Sequence, residues 1–241
     1  MKRCRNCETT LDGEFCPACG QKYIDLERPF FSLLSETLSE AVDLDGRAFR
    51  TVKTLFRQPG RLTEEFLAGR RRTYTSPLRL YLFISVSFFI LMAWVAARGL
   101  LLEHGQTIFA DAPDQARFMS DQMPKLMFLL LPVFALMLKA VFPRRLYFDH
   151  LIHSVHLHCA AFVILAVMLP VEKIASENLP ALMLQVTMLF YFIVYLLMSL
   201  RRVYSISWIQ SIGRSTAVLF CYLVVFYLEI EGTSDFLIIY D

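Results

Sequence analysis

Beyond position 77 the chain alternates long apolar runs with short polar ones, and before it apolar positions recur at helical spacing. Five apolar runs, at about 78–97, 124–142, 151–170, 180–200 and 212–228, are each about long enough to cross a ~30 Å hydrocarbon layer as a helix. Punctuation agrees with these spans. Ser76-Pro77 offers a cap followed by proline for the first, Pro124 opens the second and Pro180 opens the fourth. Pro132 lies inside the second, where its missing N–H predicts a kink that membrane helices accommodate. The fifth run requires Arg214 to snorkel to an interface, and Glu229 closes it early.

Between positions 24 and 76 the pattern predicts helices of another kind. Phe30, Leu34, Leu38 and Ala41/Val42 recur at helical spacing, and from Arg47 the segregation sharpens. Arg47, Arg50, Lys53 and Arg57 fall on one arc, with Phe49, Val52, Leu55 and Phe56 on the opposite one. Such a helix suits an anionic inner leaflet, or else its apolar face packs on the protein's own loops. It should stop at Gln58-Pro59-Gly60, and a shorter helix over 62–68 leads through Gly69 into Arg70-Arg71-Arg72 beside the membrane.

Composition sets the class. With 56% apolar residues, 21 Phe, 19% charged residues and a mean hydropathy of +0.48, the chain is too oily for an ordinary soluble domain. No apolar stretch opens it, so no secretory signal is expected. Assigning alternate segments to opposite faces puts 20 of the 24 Lys and Arg on the side of the N-terminus, a net +8 there against −6 opposite. Basic segments stay inside, so this face is cytoplasmic and the acidic C-terminus lies across the membrane. The fold class is an all-α polytopic membrane protein of about five spans, with a small ribbon at 1–23, cytoplasmic amphipathic helices at 24–76 and a spanning domain at 77–241.

The ribbon is read from Cys4-Arg-Asn-Cys7 and Cys16-Pro-Ala-Cys19, two CxxC pairs separated by eight residues. Four thiolates at that spacing can close a tetrahedral site around one structural Zn2+, each pair forming a knuckle; the alternative is disulfide pairing, which a reducing cytosol disfavours. Gly20, directly after Cys19, should take positive φ to turn backbone amides toward sulfur. Four cysteines leave no open coordination position, so the metal is not expected to be catalytic.

Chemistry inside the spans is confined to one place. Asp149, His150, His153, His156 and His158 cluster at the start of the third span, in its inner half. Imidazoles and a carboxylate at that spacing can bind a second metal, relay protons or hold a lipid phosphate; equally, Asp149 can cap the helix while neutral histidines bond neighbouring helices. His153-Ser-Val-His156 lacks the glutamate of the HExxH metalloprotease motif. Cys159 and Cys221 read as small hydrophobes and Gln185 as interhelical glue. No phosphate loop or nucleophile elbow is present.

The ribbon, the stretch Leu55-Phe56-Arg57-Gln58-Pro59-Gly60 leading to Gly69-Arg70-Arg71-Arg72-Thr73-Tyr74-Thr75-Ser76-Pro77, the pairing of Asp149-His150 with His156-Leu157-His158, and Arg201-Arg202-Val203-Tyr204 together resemble a bacterial multi-pass membrane family of unknown function with an N-terminal zinc ribbon. Where the resemblance leads one to expect Glu before the first histidine, this chain has Asp149 with its shorter reach. The family implies architecture and inner-membrane location but no mechanism. Two functions follow as expectations. The first is a non-enzymatic adaptor whose ribbon and basic residues Arg47, Arg50, Lys53, Arg57, Arg70, Arg71 and Arg72 meet a cytoplasmic protein or anionic lipid, nucleic acid not being the expected partner. The second is a transporter or metal-dependent enzyme built on the third-span histidines.

Overall fold

The computed structural model describes residues 2–23, 47–97, 122–171 and 178–240. Its helices are α1 (Arg47–Arg57), α2 (Arg61–Leu67), α3 (Pro77–Ala97), α4 (Met123–Val141), α5 (Tyr147–Met168, continued by the 3-10 turn Leu169–Val171), α6 (Leu179–Tyr204) and α7 (Trp208–Tyr240). Among the described residues there is no β-sheet, only two isolated antiparallel bridges near the N-terminus, Arg3 to Thr10 and Phe15 to Lys22. The helix expected over Phe30 to Val42 lies outside the described residues. The five helices α3 to α7 are each long and apolar enough to cross a membrane, which makes this an all-helical multi-pass membrane protein.

Helix ends follow local chemistry, with some shifts from expectation. Asn178 caps α6 by accepting from the Ala181 N–H, and Pro180 sits in its first turn. Three boundaries move. α5 begins at Tyr147 rather than near 151, behind Leu146 as N-cap, so Asp149 lies within the first turn instead of capping it. α6 runs on to Tyr204, carrying Arg201 and Arg202 in its last turn, where cations suit the carbonyl end of the dipole. The membrane-length apolar part of α7 ends at Glu229 as expected, while the helix itself continues to Tyr240.

α5 is the centre of the bundle: half of its apolar window is buried inside the protein, against 11% for α6 and 17% for α7. Phe162 organises the α3 contact, stacked on Phe88 with centroids 5.0 Å apart and flanked by Phe89 and Tyr81. On the α4 side Phe134 meets Tyr222 of α7 edge-on at 5.2 Å. Phe128, Leu136, Phe190, Val186, Phe220 and Leu223 point outward, an apolar belt that hydrocarbon rather than water would cover.

The α1–α2 hairpin is seated in this bundle rather than lying apart from it. Leu55 and Leu62 belong to the buried core, with Val52 and Phe56 packed against it. The Tyr191 hydroxyl of α6 donates to the Phe56 carbonyl at 2.8 Å. Thr51, fully buried, accepts from the Thr75 N–H at 2.9 Å and donates to the Arg47 carbonyl. That bond rolls α1 toward Thr51, away from the centre of its apolar arc, and leaves Phe49 77% exposed beside exposed Arg50, Lys53 and Arg57.

α2 carries a buried carboxylate. Glu65, 5% exposed, lies 2.6 Å from Arg61 and is gripped by both nitrogens of the Arg70 fork. Its bond to Arg70, aided by the positive charge of Arg61, holds it below the ordinary carboxylate range. Arg70, which the sequence assigns to the membrane surface, thus folds back onto Glu65 of the helix that precedes it.

Candidate metal centre and the polar layer of α5

The two CxxC pairs fold as near-duplicate knuckles. In the first, the Cys4 N–H donates to Thr9 O and the Glu8 N–H to Cys4 O; in the second, Cys16 N–H donates to Gln21 O and Gly20 N–H to Cys16 O. Gly20 has φ +68 as its place after Cys19 predicts, and Glu8 takes the same left-handed conformation in the first knuckle at φ 64. The repeat brings the four sulfurs within 4.8 Å of one another, with Cys4 to Cys19 at 3.6 Å and Cys7 to Cys16 at 3.5 Å. These separations are far beyond a disulfide bond, and the cysteines are free. Sulfurs around one zinc at its usual bond length stand about 3.8 Å apart, so the set fits a tetrahedral ion after little adjustment. The Thr9 hydroxyl and backbone pull the Cys7 thiol down to about 6, whereas desolvation pushes Cys19 up to about 11.

Among the described residues these cysteines are the group of potential ligands close enough to hold a metal ion. The α5 histidines are not gathered in that way. Each finds a hydroxyl on another helix: α2 for His156, α7 for His158, and α6 for both His150 and His153. His156 Nδ1 lies 2.9 Å from the Thr63 hydroxyl of α2. His158 donates from Nδ1 to the Ser154 carbonyl, which leaves Nε2 to accept from the Tyr222 hydroxyl of α7 at 3.1 Å. Ser154 itself donates to the Leu131 carbonyl of α4.

His150 and His153 share the Tyr204 hydroxyl, at 2.8 and 3.3 Å, and His153 Nε2 lies 2.8 Å from the Ser199 hydroxyl. This chain of three hydrogen bonds is satisfied in either direction, because Tyr204 donates to one imidazole while accepting from the other. Tyr204 is held for the task by stacking on Phe142, centroids 3.7 Å apart. Lys139 and Arg145 fix the intervening loop, Lys139 by donating to the Pro143 and Arg145 carbonyls and Arg145 by donating to Val203 O on α6. Asp149 is half-buried in the first turn of α5. The layer therefore ties α5 to α2, α4, α6 and α7 through polar bonds that a hydrocarbon setting makes hard to replace.

Tyr204→Phe keeps the stack and removes the shared hydroxyl, stranding imidazole nitrogens on His150 and His153. The expected result is a loss of about 1–3 kcal/mol in unfolding from detergent micelles followed by helicity. Unchanged stability would mean that these bonds contribute nothing net.

The basic residues divide by environment. Arg50, Lys53, Arg57 and Arg72 are exposed, Arg47 is half-buried, Arg70 is paired with Glu65, and the Arg71 guanidinium lies 4.4 Å over the Phe66 ring. Residues to which the sequence gives no functional signal prove central: Thr63, Ser199 and Tyr222 as histidine partners, and Gln21 as a link described below. Tyr204 closes the Arg201-Arg202-Val203-Tyr204 stretch that helps carry the family resemblance.

Residues 45–89 match a family described as protein of unknown function (DUF3667). The matched stretch contains α1, α2, the arginine turn and the first part of α3. No curated protein and no solved structure matches the chain.

Proposed function

We propose that this chain is a non-enzymatic adaptor of a bacterial inner membrane: five helices anchor it, and a zinc ribbon joined to the α1–α2 hairpin forms a cytoplasmic platform facing anionic lipid headgroups or a protein partner. Cys4, Cys7, Cys16 and Cys19 would hold one Zn2+, which supplies rigidity and no open position for substrate. The positive balance of the N-terminal side supports a cytoplasmic platform, and five spans then carry the far end of α7 to the periplasm. The observation that carries the reading is the exposed arc of Arg50, Lys53 and Arg57 with Phe49 at its edge, on a helix whose other face is already occupied by the bundle. Cations with an outward aromatic ring suit the headgroup layer of an anionic leaflet. The α5 histidines support this reading rather than catalysis, since their bonds run to the helices that they hold together.

Native mass spectrometry of the full-length protein tests the lipid surface. The wild type should retain anionic phospholipid in preference to zwitterionic phospholipid, and raised salt should weaken the preference. Replacing Arg50, Lys53 and Arg57 with Gln should lower it by on the order of a hundredfold, at ~1 kcal/mol per basic residue. Equal retention by both proteins would remove lipid as the ligand of this face.

A further inference from the structure

Both knuckles of the cysteine module grip a single turn at the end of α2. The Gln21 side chain donates from Nε2 to the Gly69 carbonyl at 2.8 Å and accepts at Oε1 from the Arg71 and Arg72 N–H groups at 3.1 and 3.3 Å. Gln21 is placed by the second knuckle, since its own carbonyl accepts from the Cys16 N–H. From the first knuckle, Arg5 packs its aliphatic stem on Gly69 so closely that a Cβ there would lie 2.6 Å from Arg5 Cδ.

The gripped turn belongs to a helix that needs support. α2 has seven residues, too few to persist alone in water. Its middle carries Thr63, fully buried against His156, and its exposed side pairs Glu64 with Arg202 at 3.2 Å. The cysteine module therefore lies at one end of a relay whose other end is the polar layer of α5. Knuckles of this kind hold their shape through the metal, and without it their backbone turns have little else to close them.

We propose that metal occupancy of the cysteine site latches α2 over His156, so that loss of the ion releases the helix and opens the α5 polar layer from the α2 side. With the thiolates on one ion, Gln21 and Arg5 are presented together and the 69–72 turn is fixed. Without it, three side-chain hydrogen bonds and the Arg5 packing are lost together, and the contacts of Leu62, Thr63 and Glu64 are left to hold a seven-residue helix whose C-terminal turn is no longer fixed. The proposal rests on the zinc reading above, and its test separates the two.

The experiment is hydrogen exchange on the full-length protein in detergent micelles, as purified and after stripping with a chelator, for the wild type and Gln21→Ala, with zinc measured in each sample. Stripping should speed exchange across residues 61–72 by about tenfold or more, as expected when several hydrogen bonds are lost together, while α4 and α7 stay protected. Gln21→Ala should retain stoichiometric zinc and show the fast exchange while loaded. Stoichiometric zinc with unchanged exchange over 61–72 after stripping would overturn the latch and leave the metal site standing. Purified wild type without zinc would overturn the metal reading itself. The stripped wild type decides the matter even if Gln21→Ala loses its ion.

Discussion

Cys16→Ser should abolish stoichiometric zinc binding and make Cys4, Cys7 and Cys19 open to alkylation. Cys16 is 2% exposed, its sulfur is 3.5 Å from Cys7 Sγ, and its N–H closes the second knuckle onto Gln21. A serine oxygen stays protonated and reaches less far, so three thiolates must hold an ion that needs four. Structural zinc in small modules contributes on the order of 10–16 kcal/mol at neutral pH, and a module of about twenty residues has little core to offset its loss. Metal analysis of the purified full-length protein should read about one equivalent in the wild type and close to none in the variant. Cys221→Ser, on the exposed face of α7, is the control and should leave zinc unchanged. A full equivalent of zinc retained by Cys16→Ser would remove this cysteine from the site.

Under the proposed adaptor reading, the architecture separates tasks by depth. The outward apolar belt of α4, α6 and α7 needs only to match hydrocarbon, and α5 holds the bundle together from within. That reading leaves surface for a proposed partner to α1 and the cysteine module, whose Gln21 reaches the turn at the end of α2. The buried polar layer is consistent with this division: hydroxyl and imidazole pairs fix which helix lies where, a specificity that apolar packing in lipid supplies poorly.

The features legible in the sequence are those written at short range. Apolar length announced all five spans, and CxxC spacing announced the sulfur cluster together with the positive φ of Gly20. Boundaries drifted where polar residues lie inside a helix. Asp149 reads as a cap at the start of the third span yet lies inside the first turn of α5, and Arg201 and Arg202 look like a loop yet end α6. The cationic arc of α1 was readable, but its roll was not, because it goes with a long-range bond in which the Thr75 N–H donates to the buried Thr51 hydroxyl. Long-range partners left no trace: Thr63 meets His156 across 93 positions and Gln21 meets Gly69 across 48, and neither pairing has a period or motif to betray it.

Gly60 shows the same limit and carries the other large effect. In the sequence it reads as a helix stop after Gln58-Pro59, a role many residues could share. In the fold it enters α2 at φ +80, and a Cβ added there would stand 3.0 Å from the Ser199 carbonyl oxygen, 3.1 Å from Val203 Cγ2 and 3.3 Å from Arg202 Cβ. The first of these is backbone of α6 and cannot swing aside. Gly60→Ala thus combines a left-handed conformation, about 1–2 kcal/mol for an L-residue, with overpacking of about 1–3 kcal/mol. The expected outcome is destabilisation on the order of 2–5 kcal/mol, concentrated on the hairpin, since the easiest relief is for α1 and α2 to lift from α6. Gly213→Ala supplies the contrast: nothing lies within 4 Å of its Cβ inside α7, so it should be neutral or stabilising by up to ~1 kcal/mol. Unfolding of both variants from micelles, followed by helicity, checks the pair. Equal stability would mean that the hairpin does not seat against α6 as closely as these contacts require.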